Sequence, residues 1–145
     1  MEKFIVTGGL GFIGSNLIEL LLSKKCKVLN IDKVSYASNF YNIKNFKKNR
    51  NYSFKKININ DKKKFNNVLK NFKPTGIFNL AAETHVDRSI DGPREFINSN
   101  ILGVFNLLES FRDYSKNNKK ARLIHISTDE VFGDVIKGRS TENWP

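Results

Sequence analysis

A chain of 145 residues, 39% of them hydrophobic, can fill one core and would be cramped as two domains. The net charge of +11 comes from basic residues spread from Lys3 to Arg139 and interleaved with Asn, which argues for a solvated basic surface and against a specific nucleic-acid partner. One cysteine, Cys26, excludes an internal disulfide or a cysteine-based metal cluster, and no apolar run approaches the roughly 18 residues that span a membrane. A cytoplasmic protein with no metal site and no membrane partner is the default expectation.

Lys3 to Thr7 is a β-branched apolar run ended by glycines, the pattern of a buried strand. Phe12 to Leu22 follows with Ile13, Leu17, Leu20 and Leu21 at helical spacing, and Lys27 to Asp32 is a second strand ending on an acid. Residues 33–51 are Asn- and Lys-rich and predict a loop with a short helix near Tyr41 to Phe46. Tyr52 to Ile59 alternates as a third strand, and Asp61 is placed to cap a helix running to Phe72 with Phe65, Val68, Leu69 and Phe72 inward. Ile77 to Ala82 is a fourth strand, Arg94 to Ser115 a long helix, and Arg122 to Ser127 a fifth strand containing His125, read as a core histidine. Strand and helix alternate throughout, so the expected class is α/β, a Rossmann-type doubly wound parallel sheet, truncated after the fifth strand. The long helix is apolar on more than one side: Ile97, Ile101, Phe105 and Leu108 form one stripe, and Leu102, Val104, Leu107 and Phe111 lie elsewhere. A second partner surface is therefore expected.

Three segments carry chemistry. Gly8, Gly11 and Gly14 form a G-x-x-G-x-x-G series between the first strand and first helix. There a tight turn lets the backbone approach a pyrophosphate seated on the helix N-terminus. Asp32 ends the next strand, 18 residues beyond Gly14, where a carboxylate accepts ribose hydroxyls and repels a 2′-phosphate, so NAD is the expected cofactor. Ser127-Thr128-Asp129-Glu130 leaves the fifth strand at its carboxyl end, where ligands of parallel sheets bind; it offers a hydroxyl and an acid/base pair, and equally a helix cap with first-turn acids. Leu80 to Ile90 concentrates polar groups after the fourth strand, with Ala81 and Ala82 small enough for close approach; His85 and Asp87 alone are too few for a metal.

With these segments placed, the chain resembles the extended short-chain dehydrogenase/reductases, and within them the dTDP-glucose 4,6-dehydratases. The resemblance runs from Met1 to Pro145 and is specific at TGGLGFIGSN (Thr7 to Asn16), NIDKVSYASN (Asn30 to Asn39), LAAETHVDRSIDGP (Leu80 to Pro93), FINSNILG (Phe96 to Gly103) and HISTDEVFG (His125 to Gly133). It implies that Phe12, Ile13, Asp32, Lys33, Val34 and Ser35 hold the adenosine half of NAD, with Asn58 and Ile59 flanking the adenine. Leu80, Ala81, Ala82, Thr84 and Ser99 would line the rest of the cofactor site. Thr84 and Thr128 would contact a nucleotide-sugar substrate, with Asp129 as general acid and Glu130 as general base. Asn58 departs from the family's aspartate, Thr84 from serine, Ser99 from threonine and Phe132 from tyrosine. The family's Tyr-x-x-x-Lys pair is expected downstream, as is the sugar-nucleotide domain; the spacing from Tyr52 to Lys56 falls in a predicted strand. On this reading residues 1–145 are an incomplete NAD-binding domain of a homodimeric enzyme. Another NAD-dependent sugar-nucleotide dehydratase, decarboxylase or epimerase of the same group, or a non-catalytic NAD-binding module, is the alternative.

Overall fold

The computed structural model describes residues 1–135 and 137–143, so Ile136, Trp144 and Pro145, the last two closing the resemblance, lie outside the described residues. Five strands form one wholly parallel sheet in the order β3-β2-β1-β4-β5. They are β1 (Lys3–Thr7), β2 (Lys27–Asp32), β3 (Tyr52–Lys56), β4 (Gly76–Asn79) and β5 (Arg122–His125). The chain winds outward from β1 to β3, then returns to place β4 on the other side of β1. The strand order therefore reverses between β1 and β4, and a crevice opens above their carboxyl ends.

Alternation along the strands feeds two cores. Ile5, Leu29, Ile31 and Ile77 face Phe65, Val68 and Leu69 of α2 (Lys62–Phe72) and Leu107 of α5 (Val104–Lys116). Val6 and Val28 face the other way, onto Ile18, Leu21 and Leu22 of α1 (Phe12–Ser23) and onto Ile43 and Phe46. Helices therefore cover both faces, as the alternation implied. Asp61 caps α2 by accepting the Lys64 N–H at 3.0 Å, and Cys26 is a buried thiol in the core beside α1.

Several boundaries differ from expectation. The strands β3, β4 and β5 stop at Lys56, Asn79 and His125, earlier than Ile59, Ala82 and Ser127, because the chain leaves the ladder to line the crevice. On α1 the inner stripe is Ile18, Leu21 and Leu22; Ile13 and Leu20 are exposed, since Gly14 and Ser15 make the close contact with the sheet. The short helix is a 3-10 turn at Phe40–Ile43, anchored by Asn39 accepting the Tyr41 N–H. The polar segment after β4 contains a short helix, α3 (Val86–Asp91), that its residue pattern does not announce. The long helix is continuous but changes register: α4 (Pro93–Phe96) passes into a π-helical Ile97–Gly103 before α5. Ile97, Ile101, Phe105 and Leu108 are all exposed, which leaves one apolar stripe uncovered. His125 is exposed too, because β5 is an edge strand; it is satisfied by Asn79 at 2.9 Å.

Phe65 is fully buried at the centre of the core on the α2 side. Phe65→Ala should lower unfolding free energy by about 3–5 kcal/mol. Urea denaturation followed by far-ultraviolet circular dichroism measures it, and a loss under about 1 kcal/mol would be inconsistent with this packing.

Candidate active site

The crevice is a cleft of about 540 Å³. Its floor is the glycine turn. Gly8 adopts φ +70°, and a Cβ there would fall 2.8 Å from the Leu80 carbonyl oxygen. A Cβ on Gly14 would lie 2.4 Å from the Gly8 oxygen, so the turn and α1 pack at a distance only glycine permits. The first helical hydrogen bond runs from Ser15 N–H to Gly11 C=O, and Gly11 contributes no side-chain cap. The N–H groups of Phe12, Ile13 and Gly14 thus precede the helical ladder and line the cleft, a ready seat for an anion.

Asp32 forms the next wall. Its buried carboxylate accepts from Leu10 N–H at 3.1 Å, Val34 N–H at 2.8 Å and the Ser38 hydroxyl at 2.8 Å. A carboxylate has about four acceptor positions, so capacity for a ribose hydroxyl remains. The neighbouring cation, Lys33, is committed to the buried Glu83 at 2.7 Å. Across the cleft, Asn100 in the π-helical segment clasps the Glu83 backbone twice, accepting its N–H and donating to its carbonyl, both at 2.8 Å. A further chain of bonds joins the strand ends: Thr7 donates to Asn79, Asn79 meets His125, and the Thr7 hydroxyl accepts Ala81 N–H at 3.3 Å.

A family sequence profile described as GDP-mannose 4,6 dehydratase matches residues 5–145. The chain belongs to this family. It is 42% identical over 141 residues to dTDP-glucose 4,6-dehydratase of Neisseria meningitidis, covering 93% of this chain and 40% of that protein. The dTDP-glucose 4,6-dehydratase of Streptomyces venezuelae with NAD bound superposes with a TM-score of 0.86 at 33% identity, over 99% of this chain and 44% of that one. The NAD complex of the Bacillus anthracis enzyme gives 0.83 at 34% identity, over 100% of this chain and 44% of that one. The chain thus spans about two fifths of the length of these dehydratase relatives.

Within this dehydratase-family cleft stand Gly8, Gly11, Phe12, Ile13, Gly14, Asp32, Lys33, Ser35, Asn58, Ile59, Leu80, Ala81, Ala82, Thr84, Ser99 and Thr128. Val34, at φ +62°, lines an adjoining cavity of about 780 Å³ and packs against the core on the α1 side. Asp129 and Glu130 follow Thr128 in a 3-10 turn (Asp129–Phe132) just outside the cleft lining, and both are exposed. The Thr128 hydroxyl, then the residue's own backbone N–H, hold the Glu130 carboxyl below the usual glutamate range. Thr128 makes no side-chain cap bond to the turn, so the simple capping role is not formed. Tyr52, on β3, packs its ring on Phe46 and takes a hydrogen bond from Asn30 at 3.0 Å; with Lys56 it stands apart from the cleft, as expected of a chance spacing.

Sequence reasoning passes over Ser38 and Asn100 as site-forming residues, and includes Glu83 only within the run Leu80 to Thr84, with no sign of its ion pair. Ser38 and Asn100 lie in quoted motifs, and their polarity beside buried partners was the available signal. Glu83 was legible only as a neighbour of Thr84.

The turn geometry separates two glycines. Gly14→Ala drives a Cβ into backbone and should cost at least about 2 kcal/mol, whereas Gly11→Ala meets only the Gly8 oxygen at 3.3 Å and should cost under about 1 kcal/mol. Thermal unfolding of the two variants side by side checks this order.

Proposed function

We propose that the chain supplies the NAD-binding region and three reacting side chains of a dTDP-glucose 4,6-dehydratase. One observation carries the reading: glycine turn, Asp32, β4 exit and Thr128 border a single cleft, with the acid/base pair next along the chain. The residues fit a dinucleotide. The N–H groups of Phe12, Ile13 and Gly14, without a hydrogen-bond partner among the described residues, suit a pyrophosphate, and Asp32 retains acceptor capacity for a ribose. Lys33, next to Asp32 in the chain, is neutralised by Glu83 and is a poor receptor for a 2′-phosphate.

Bound NAD would accept a hydride from C4 of the sugar and return it to C6. Between these transfers the chain's own groups act. With substrate bound, the Thr128 hydroxyl would turn its one proton from the Glu130 carboxylate to the C4 oxygen, which draws electron density from C5 and acidifies its proton. Glu130, held ionised, removes that C5 proton. The C6–O bond then breaks as Asp129 protonates the departing hydroxyl, and water leaves. Glu130 would then return a proton to C5, and with reduction at C6 by the bound cofactor the 4-keto-6-deoxy product would form. No tyrosine stands among the described residues lining the cleft, so the group that takes the C4 hydroxyl proton must come from elsewhere, and the 145-residue chain should form no product.

The relatives' coverage leaves a second family activity open. The UDP-glucose 4-epimerase of Thermus thermophilus, in complex with NAD, shares the fold at TM-score 0.81 and 31% identity. The adjacent Asp129 and Glu130 favour dehydration, since loss of water needs both a proton donor and a proton acceptor beside the sugar.

Calorimetric titration should show tighter binding of NAD than of NADP, with Asp32→Ala narrowing the gap; equal affinities in the unaltered chain would refute the cofactor assignment. In the intact enzyme carrying this region, Glu130→Gln should abolish deuterium incorporation at C5 from heavy water while some C4 oxidation persists. Mass spectrometry of product, beside single-turnover absorbance of NADH, reads both steps. Undiminished exchange at C5 would assign the base to another residue.

A further inference from the structure

β5 has one neighbour in the sheet, β4, and the turn that follows β5 is exposed and carries no side-chain cap. The position of Thr128 therefore depends on how the last residues of β5 are tied to β4. At that exit two ties come from one residue, Asn79. Its carbonyl accepts the Ile126 N–H at 3.0 Å, and its side-chain Nδ2 meets His125 Nδ1 at 2.9 Å. The chemistry of the second tie is fixed. Asn79 is fully buried, and its Oδ1 accepts the hydroxyl proton of Thr7, which is fully buried too. Turning the amide over would face Nδ2 to Thr7 and remove the acceptor that this buried proton now has. Nδ2 is therefore the atom that faces His125, and an amide nitrogen only donates. The ring nitrogen opposite must accept, so Nδ1 carries no proton and the imidazole proton sits on Nε2. Thr7, Asn79 and His125 thus form a directed chain of bonds across the carboxyl ends of β1, β4 and β5. The Thr7 oxygen also takes the Ala81 N–H at 3.3 Å, which joins the β4 exit to the same chain.

We propose that His125 is a positioning residue for the dehydration: its Nδ1 lone pair, accepting from Asn79, sets the exit of β5 and with it the line of the Thr128 hydroxyl. The proposal rests on the reading of Thr128 given above. The role needs an acceptor at the Nδ1 position and no proton transfer by the ring. Asparagine offers its Oδ1 at about that place, since both atoms are bonded to Cγ, whereas leucine offers no acceptor. His125 is exposed, so neither substitution opens the core.

The bond and its role are tested separately. In the 145-residue chain carrying His85→Gln, His125 is the one remaining imidazole. Its nitrogen-15 resonances, read at a pH of about 8.5 where imidazole is neutral, should show a bare Nδ1 and a protonated Nε2. A proton on Nδ1, or an average of the two neutral forms, overturns the proposal. In the intact enzyme carrying this region, His125→Leu should lower kcat for dehydration at least about tenfold, with KM for the sugar, NAD affinity and the unfolding midpoint kept. His125→Asn should bring kcat back to within about threefold of the unaltered enzyme. A kcat within about twofold in His125→Leu, no recovery in His125→Asn, or a kcat that falls in step with the unfolding midpoint overturns the positioning role. Failure of the unaltered enzyme to form dehydrated product overturns the reading of Thr128 and this role with it, while the nitrogen-15 spectrum still reports the bond.

Discussion

The carboxylate of Asp32 is the knot on which the site depends. It is almost wholly buried and reaches three donors from three separate stretches of chain: Leu10 in the glycine turn, Val34 just beyond β2 and Ser38 in the following loop. A buried carboxylate without such partners would cost several kcal/mol, so these bonds are obligatory once the residue is placed. Their consequence is geometric. Leu10 is held from its carbonyl side as well, by Asn39 N–H and the Asn42 side chain, which fixes the turn against the end of β2. The same carboxylate helps hold Val34 at φ +62°, a left-handed conformation that a β-branched side chain adopts only under constraint, at roughly 1–3 kcal/mol. The N-terminus of α1 is aimed at the cleft because these bonds leave it no other direction.

The opposite wall is organised by the change of helical register. A π-helical turn inserts an extra residue per turn and breaks the regular stacking of side chains, a device frequent at functional sites. Here it brings Asn100 to the Glu83 backbone and Ser99 to the cleft, while the Asn98 carbonyl accepts from the Asn60 side chain at 2.6 Å. Gly103 lets Ile59 approach, since a Cβ there would lie 2.8 Å from its side chain. The helix is thereby tied to both the β3 exit and the β4 exit, and the Lys33–Glu83 pair carries the tie back to β2.

Much of this was readable from residue order. Glycines at fixed spacing, an acid ending the second strand and alternating strand and helix patterns locate the glycine turn, Asp32 and the β4 and β5 exits, because each reflects a local backbone requirement, while Asn58, Ile59, Thr84 and Ser99 follow only from the family resemblance. The misreadings share a cause as well. The inner stripe of α1 could not be taken from its large residues, since close contact with the sheet is made at Gly14 and Ser15. His125 was assigned to a core on strand membership alone, and an edge strand gives it none. The π-helical register, α3 and the Lys33–Glu83 pair depend on contacts between segments far apart in sequence, which periodicity does not record.

The acid/base pair raises a different question, because two adjacent exposed carboxylates have no built-in reason to differ. The structure supplies one. The Thr128 hydroxyl and a backbone N–H both favour the charged form of Glu130, so the asymmetry is seeded by the residue that also contacts the cleft. Solvent dilutes that asymmetry while the turn is exposed. Any surface that covers Ile124, Ile126 and Val131, all of them exposed around this turn, would also strip water from the carboxylates beside them. Desolvation penalises a second charge next to an ionised one, and the backbone N–H of Glu130 continues to favour the charge on that residue. On the proposed mechanism, a surface that covered this turn would also shield a bound sugar from bulk water.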